Sequence, residues 1–161
     1  MIIFGLDPGT THTGCVWFDG TRVLRSEQMQ NEEVLTELEF ELNATHKVVA
    51  VACEMLVYQG EARRPGEETF ETAYWIGQFM RAFGGTFHRI KPYEWKVHVC
   101  GRATAGDSER RTALIRRFGG KASIGTKKAP GPLYGVTGHC WSALAVAVTA
   151  WDTHYAKGRI A

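Results

Sequence analysis

The sequence predicts an α/β fold in which one central, five-stranded mixed sheet is flanked by helices. Three observations carry this. Two short runs, Ile2-Ile3-Phe4-Gly5-Leu6 and Lys47-Val-Val-Ala-Val-Ala-Cys53, are continuously apolar, as strands covered on both faces must be. Ahead of the second run lies a meander of short strands, and beyond it strand and helix patterns alternate. At 161 residues, 44% of them hydrophobic, the chain can bury a core as one domain spanning residues 1–161 without disulfides or a structural metal. No internal repeat interrupts this pattern.

Residues 2–6 form the first strand, which meets an acid at Asp7 and stops in the turn Pro8-Gly9-Thr10. Residues 14–18 form the second strand and 22–27 the third, joined through Asp19-Gly20, a strong hairpin signal between apolar runs. Val34, Leu35, Leu38 and Leu42 recur at helical spacing, so 32–42 is an amphipathic helix with an acidic outer face. Residues 47–53 are the central strand. Residues 59–68, with Gly60 and Pro65-Gly66, break both periodicities and read as an exposed loop. A helix over 69–83 carries Phe70, Ala73, Ile76 or Gly77, and Met80 along one stripe, and Gly84-Gly85 ends it. Residues 87–90 form the fifth strand and 92–99 a short helix with Pro at its start. Asp107 or Ser108 caps a helix to about Phe118. Residues 119–135, rich in Gly, Pro and Lys, read as a mobile loop. A last helix, from Thr137 to about Tyr155, turns Ala143, Leu144, Ala147 and Val148 inward.

Bulk properties narrow the function. No apolar run is long enough to span a bilayer, and nothing resembles a signal peptide. Cys15, Cys53, Cys100 and Cys140 form no CxxC or CxxH pair, so a zinc knuckle or disulfide framework is not supported, and reduced packing cysteines in a cytoplasmic protein are expected. Net charge is only +2, but it is unevenly distributed. Between Asp19 and Glu71 there are twelve acids against five Lys or Arg, and between Arg89 and Lys128 eleven Lys or Arg against three acids. One basic region on a nearly neutral protein suits a polyanionic partner.

Asp7 ends a buried strand, where a carboxylate must be paired, solvated at the sheet edge or holding a metal, because a lone buried charge is too costly. Glu54 ends the other strongly apolar strand. If the two strands are neighbours, both carboxylates leave the sheet at the same end, and two such oxygen ligands suit Mg2+ or Mn2+. His139 opens the last helix and Ser142 lies one turn later on the same face.

The segments Ile3-Phe4-Gly5-Leu6-Asp7-Pro8-Gly9-Thr10, Ala52-Cys53-Glu54 and His139-Cys140-Trp141-Ser142-Ala143-Leu144-Ala145-Val146-Ala147 resemble the three active-site segments of RuvC-type Holliday junction resolvases, in order and across nearly the whole chain. The resemblance implies a ribonuclease-H-like fold and a homodimer that resolves four-way junctions and other branched DNA by metal-dependent hydrolysis. It implies Asp7, Glu54 and His139 as catalytic and metal-binding residues, with no nucleotide cofactor. It also implies an acid at position 142, where this chain has Ser142, which can hold a metal-bound water or ligate weakly but brings no negative charge. Asp107 could supply the missing charge, in a segment where the family usually places a lysine; as a helix cap it has a complete structural explanation instead.

Further expectations concern DNA. Lys96 resembles the family's lysine near the scissile phosphate. Arg102, Arg110, Arg111, Lys127 and Lys128 would neutralise flanking phosphates, and Arg63 and Arg64 would contact DNA from a loop whose Tyr, Arg and Gly suit unpaired bases. Tyr58 sits where the family places an aromatic that stacks at the junction centre, though it could equally pack on the sheet edge. The dimer face is expected around Tyr74, Trp75 and Phe79, which could instead be core. Three other readings stay open: a YqgF-type ribonuclease-H fold acting on RNA, a catalytically inactive junction-binding protein, and an ATPase of the actin and sugar-kinase superfamily, whose Asp-x-Gly-Thr-Thr-like turn resembles Asp7-Pro-Gly-Thr-Thr11.

Overall fold

The structure, a computed structural model, describes residues 1–41, 47–58, 60 and 65–156. Strands β1 (Ile2–Pro8), β2 (His12–Phe18) and β3 (Val23–Gln30) form the antiparallel meander, with Asp7 opposite Gly14. Strand β4 (Val48–Glu54) lies parallel to β1 on its other side, with Leu6 opposite Cys53, and β5 (Phe87–Ile90) adds in parallel to β4. The sheet order is β3-β2-β1-β4-β5. Helix α1 (Asn31–Thr36) runs on into a π turn, Glu37–Glu41. Helices α2 (Glu67–Phe83), α3 (Pro92–Cys100), α4 (Asp107–Arg117) and α5 (Cys140–His154) complete the fold.

The continuous apolar runs reflect a sheet covered on both faces. Successive side chains of a strand alternate, so Ile3, Val16, Phe18, Ala50 and Ala52 pack under α5, whereas Phe4, Leu6, Cys15, Trp17, Val51 and Cys53 pack with Val34, Leu38, Ile76 and Phe79. Helix α5 is buried at every position from Cys140 to Trp151. Its alanines let it lie close to β1: a Cβ at Gly5 would come 2.3 Å from the Ala143 carbonyl oxygen and 2.9 Å from the Ala147 Cβ. The Ala-Leu-Ala run is therefore a packing device that fixes the start of α5 beside the end of β1.

Several expectations need correction. Helix α2 buries Thr72, Ile76, Phe79 and Phe83, leaving Phe70 and Ala73 exposed. Apolar residues occupy two stripes of this helix, and Thr72 joins the inner one because its hydroxyl donates to the Glu68 carbonyl at 2.8 Å, satisfying its only polar group. Phe79 belongs to the core, so the expected dimer face loses its third member. Neither Asp107 nor Ser108 caps α4. Gly106 occupies that position, its N–H donating to Glu109 Oε2 at 3.0 Å, and Asp107 is the first helical residue. Residues 119–135 pack against the core rather than hanging free: Leu133 is buried, Leu133 N–H donates to the Ser123 carbonyl, and Val23 N–H to the Pro132 carbonyl. The last helix starts at Cys140, with His139 at its cap position. Leu42, Arg63 and Arg64 lie outside the described residues.

Candidate active site

Because β1 and β4 are parallel neighbours in register, Asp7 and Glu54 leave the sheet at the same end, one step beyond the paired Leu6 and Cys53. Both line one cleft of about 660 Å3. Burial lifts the Asp7 carboxyl above its usual range, and the His139 contact, the Ser142 hydroxyl and Arg110 pull it part of the way back. Glu54 is pushed up to about 7, first by burial and then by the Asp7 charge; the Trp95 indole, Arg110 and Lys96 act in the opposite sense. Two carboxyls that resist ionising because they are desolvated and repel one another form a site that a cation would relieve.

The third segment reaches Asp7 through a close backbone approach. A Cβ at Gly14, the β2 partner of Asp7, would sit 2.7 Å from the His139 carbonyl carbon, so only glycine lets the start of α5 rest on β2. His139 Nδ1 then lies 3.1 Å from Asp7 Oδ2. The turn beyond Asp7 is held from the other side by Asn31, which is fully buried. Asn31 Nδ2 donates to the Gly9 carbonyl at 3.1 Å, its Oδ1 accepts from the Thr13 hydroxyl at 2.7 Å, and its backbone N–H donates to the Thr11 carbonyl. Nothing in the residue pattern pointed to Asn31, since one polar residue after a strand has no periodic signature.

The opposite wall of the cleft is cationic. Trp95 is buried, Lys96 Nζ lies 5.6 Å from its ring centroid, and the Arg110 guanidinium carbon lies 5.4 Å from it. Arg111 stands 5.6 Å from the ring of Trp141. Lys96, Arg110, Arg111, Trp141 and Ser142 all line the cleft with Asp7 and Glu54. Arg110 departs from the expectation of a surface phosphate contact: it is only 8% exposed. Asp107 is at the mouth, its side chain 90% exposed and ion-paired with Arg110 Nη1 at 3.1 Å.

A second cleft, of about 680 Å3, shares the same two carboxylates and is lined by Met55, Leu56, Val57, Tyr58, Phe70 and Pro92 among others. Tyr58 is 72% exposed, so it does not pack on the sheet edge. Arg102 is ion-paired with Glu109, away from the carboxylate pair, and Lys127 and Lys128 are exposed on the loop after α4.

Neither a protein-family model nor a curated protein sequence matches the chain. Solved structures do. RuvC from Thermus thermophilus aligns at a TM-score of 0.67 over 95% of this chain and 96% of its own, with 22% identity. The same protein in complex with a Holliday junction substrate aligns at 0.64 over 92% of each chain, with 21% identity. This chain has the fold of RuvC, which is ribonuclease-H-like. The fowlpox virus Holliday junction resolvase aligns at 0.51 over 95% of this chain and 99% of its own, at 14% identity. In this RuvC fold Asp7 and Glu54 cap the two central parallel strands, and His139 and Ser142 sit at the start of α5.

Whether this RuvC-fold site suits a divalent cation turns on its donors. Among the described residues no group of three or more His, Cys, Asp and Glu is arranged around one point. His139 is directed at Asp7, Asp107 is taken up by Arg110, and Ser142 contributes only a hydroxyl. Two carboxylates remain. Magnesium is commonly held by one or two carboxylates, keeping several waters and substrate phosphate oxygens for the rest of its sphere, so the pair fits such an ion. No helix among the described residues is long and apolar enough to cross a membrane.

Proposed function

We propose that this chain is a single-domain, structure-selective endonuclease that resolves Holliday junctions and other branched DNA by divalent-metal-dependent phosphodiester hydrolysis. The observation that carries the reading is the placement of Asp7 and Glu54 on adjoining strand ends, in a cleft whose facing wall holds Lys96, Arg110 and Arg111. Carboxylates alone would repel a nucleic-acid backbone, and cations alone would only bind it. Together they suit a site that draws in a phosphate and cuts it. The proteins sharing the fold include a Holliday junction resolvase and a RuvC solved on a junction, which supports the substrate class.

Asp7 and Glu54 would hold Mg2+ or Mn2+. A bound ion would supply Lewis-acid stabilisation of the negative charge that grows on the phosphate. His139 keeps Asp7 in one orientation through the 3.1 Å contact. Lys96 adds a point charge beside Glu54, and exposed Lys127 and Lys128 neutralise flanking phosphates. Two symmetric cuts need two sites, so the active form is a homodimer, with the exposed Tyr74 of α2 offering apolar surface for a second copy. A cytoplasmic location belongs to the same reading.

Ser142 favours one rival, a junction-binding protein without activity, because it leaves the site one acid short. A single experiment separates the readings. The protein is incubated with a synthetic four-way junction, a linear duplex of the same sequence and a structured RNA, each in Mg2+ and in Mn2+. Junction cutting well above duplex and RNA cutting is expected. Preferential RNA cutting would support the YqgF-type reading, and tight junction binding with no cutting in either ion would support the inactive one.

A further inference from the structure

Arg110 is in an unusual position for a residue of a basic helix. Its neighbours Arg111, Arg116 and Arg117 are more exposed, whereas Arg110 is turned inward against Trp95 and lines the cleft with Asp7, Glu54 and Ser142. Its Nη1 meets the exposed Asp107, but its Nε is buried with no hydrogen-bond partner among the described residues. The Trp95 indole N–H is buried beside Glu54 and favours its ionised form. Leaving a buried donor unpaired is costly, and more so for a charged one. A guanidinium that is turned into the cleft beside the carboxylate pair, and is not fully paired there, leaves room for an acceptor from outside the chain.

The acceptor must be anionic, must fit between a guanidinium and two carboxylates, and must reach a cleft open to solvent. A phosphodiester oxygen meets these conditions, and a guanidinium fork matches it better than an ammonium does. We propose that Arg110 is a catalytic residue that donates from its guanidinium to a non-bridging oxygen of the scissile phosphate itself, rather than to a flanking phosphate. This rests on the hydrolase reading above. In the reaction, water adds across one P–O bond: the bond to the attacking oxygen forms, the bond to the leaving oxygen breaks, and the proton lost by water ends on the leaving oxygen or in solvent. Arg110 neither gives nor takes a proton. Its fixed charge stabilises the phosphate as negative charge accumulates there.

The test uses the full chain, wild type, Arg110→Gln and Arg110→Lys, on a synthetic four-way junction under single-turnover conditions with saturating protein. Junction affinity is read separately by fluorescence anisotropy in EDTA. Arg110→Gln should cut at least about a hundredfold more slowly, in the range for loss of one transition-state donor, with affinity changed less than about fivefold, as expected for a residue that is not a main phosphate anchor. Arg110→Lys should recover part of the rate. Cutting by Arg110→Gln within about threefold of wild type overturns the proposal, and so does a loss of rate explained wholly by weaker binding. Should Arg110→Gln fail to fold, wild-type protein alone decides, using the two phosphorothioate diastereomers at the scissile position. Slowing by one diastereomer that Mn2+ does not relieve supports a guanidinium contact; slowing that Mn2+ relieves in full assigns that oxygen to the ion and overturns it. Failure of wild type to cut or bind the unmodified junction would count against the proposed function instead, and is seen before any variant is compared.

Discussion

The two clefts that meet at Asp7 and Glu54 are nearly equal in size and opposite in chemistry. One has a wall of Lys96, Arg110 and Arg111 backed by indole rings; the other is lined by Met55, Leu56, Val57, Tyr58 and Phe70, with no cation among its described lining residues. Phosphates are recognised by charge and bases by stacking on apolar and aromatic faces. Under the proposed function, a carboxylate pair shared by two such surfaces would cut a strand whose backbone lies in one cleft and whose unstacked bases lie in the other. Intact duplex offers no free base to the apolar side, so the proposed preference for branched DNA is consistent with the asymmetry.

The largest effect should come from the ridge the clefts share. Asp7→Asn keeps the shape and removes a ligand charge, so single-turnover junction cutting should fall by about a thousandfold or more, several kcal/mol of transition-state stabilisation, while binding in EDTA changes little. Persistent cutting by this variant would place the chemistry elsewhere.

Next in size is a stability effect. The Glu54 carboxyl titrates near 7 in the folded protein against an ordinary 4.5. A carboxyl raised in the folded state contributes stability that is complete below its unfolded value and is lost as pH climbs through its folded value. At pH 8 the metal-free wild type therefore carries the whole penalty, on the order of 3 kcal/mol. Glu54→Gln should raise the Tm of the metal-free protein at pH 8 and leave it nearly unchanged at pH 4. A lower Tm for the variant at pH 8 would show that the carboxylate is already well paired in the fold.

Smaller effects divide the clefts. Tyr58→Ala should weaken junction binding about tenfold, the worth of one stacked base, with little change in the salt dependence. Replacing Lys127 and Lys128 together by Ala should weaken binding a few-fold and flatten the log–log salt slope by about 0.9 for each phosphate no longer neutralised. Equal salt behaviour of the two variants would erase the contrast between the surfaces.

Much of the site was legible because strand-terminal acids are informative. Asp7 and Glu54 each follow an apolar run that has no other reason to end in a charge, and parallel pairing then forces them together. His139 was legible only through the resemblance of its segment to the third active-site segment of RuvC-type resolvases. The position of Arg110 was not legible, because the charge pattern of α4 shows four arginines and does not say which one faces the core. The outer stripe of α2 is nearly as apolar as the inner one, so periodicity could not choose Thr72 over Ala73. Gly14 and Asn31 act through close approach and a buried hydrogen-bond set, which depend on residues distant in sequence.

Calorimetric titration of the metal-free protein with Mn2+ at pH 8 tests the carboxylate pair most directly. Wild type should bind with a measurable enthalpy, and Asp7→Asn and Glu54→Gln should each lose at least about tenfold in affinity while Asp107→Asn binds as wild type does. Unchanged binding in the first two variants, or loss confined to Asp107→Asn, would contradict the account.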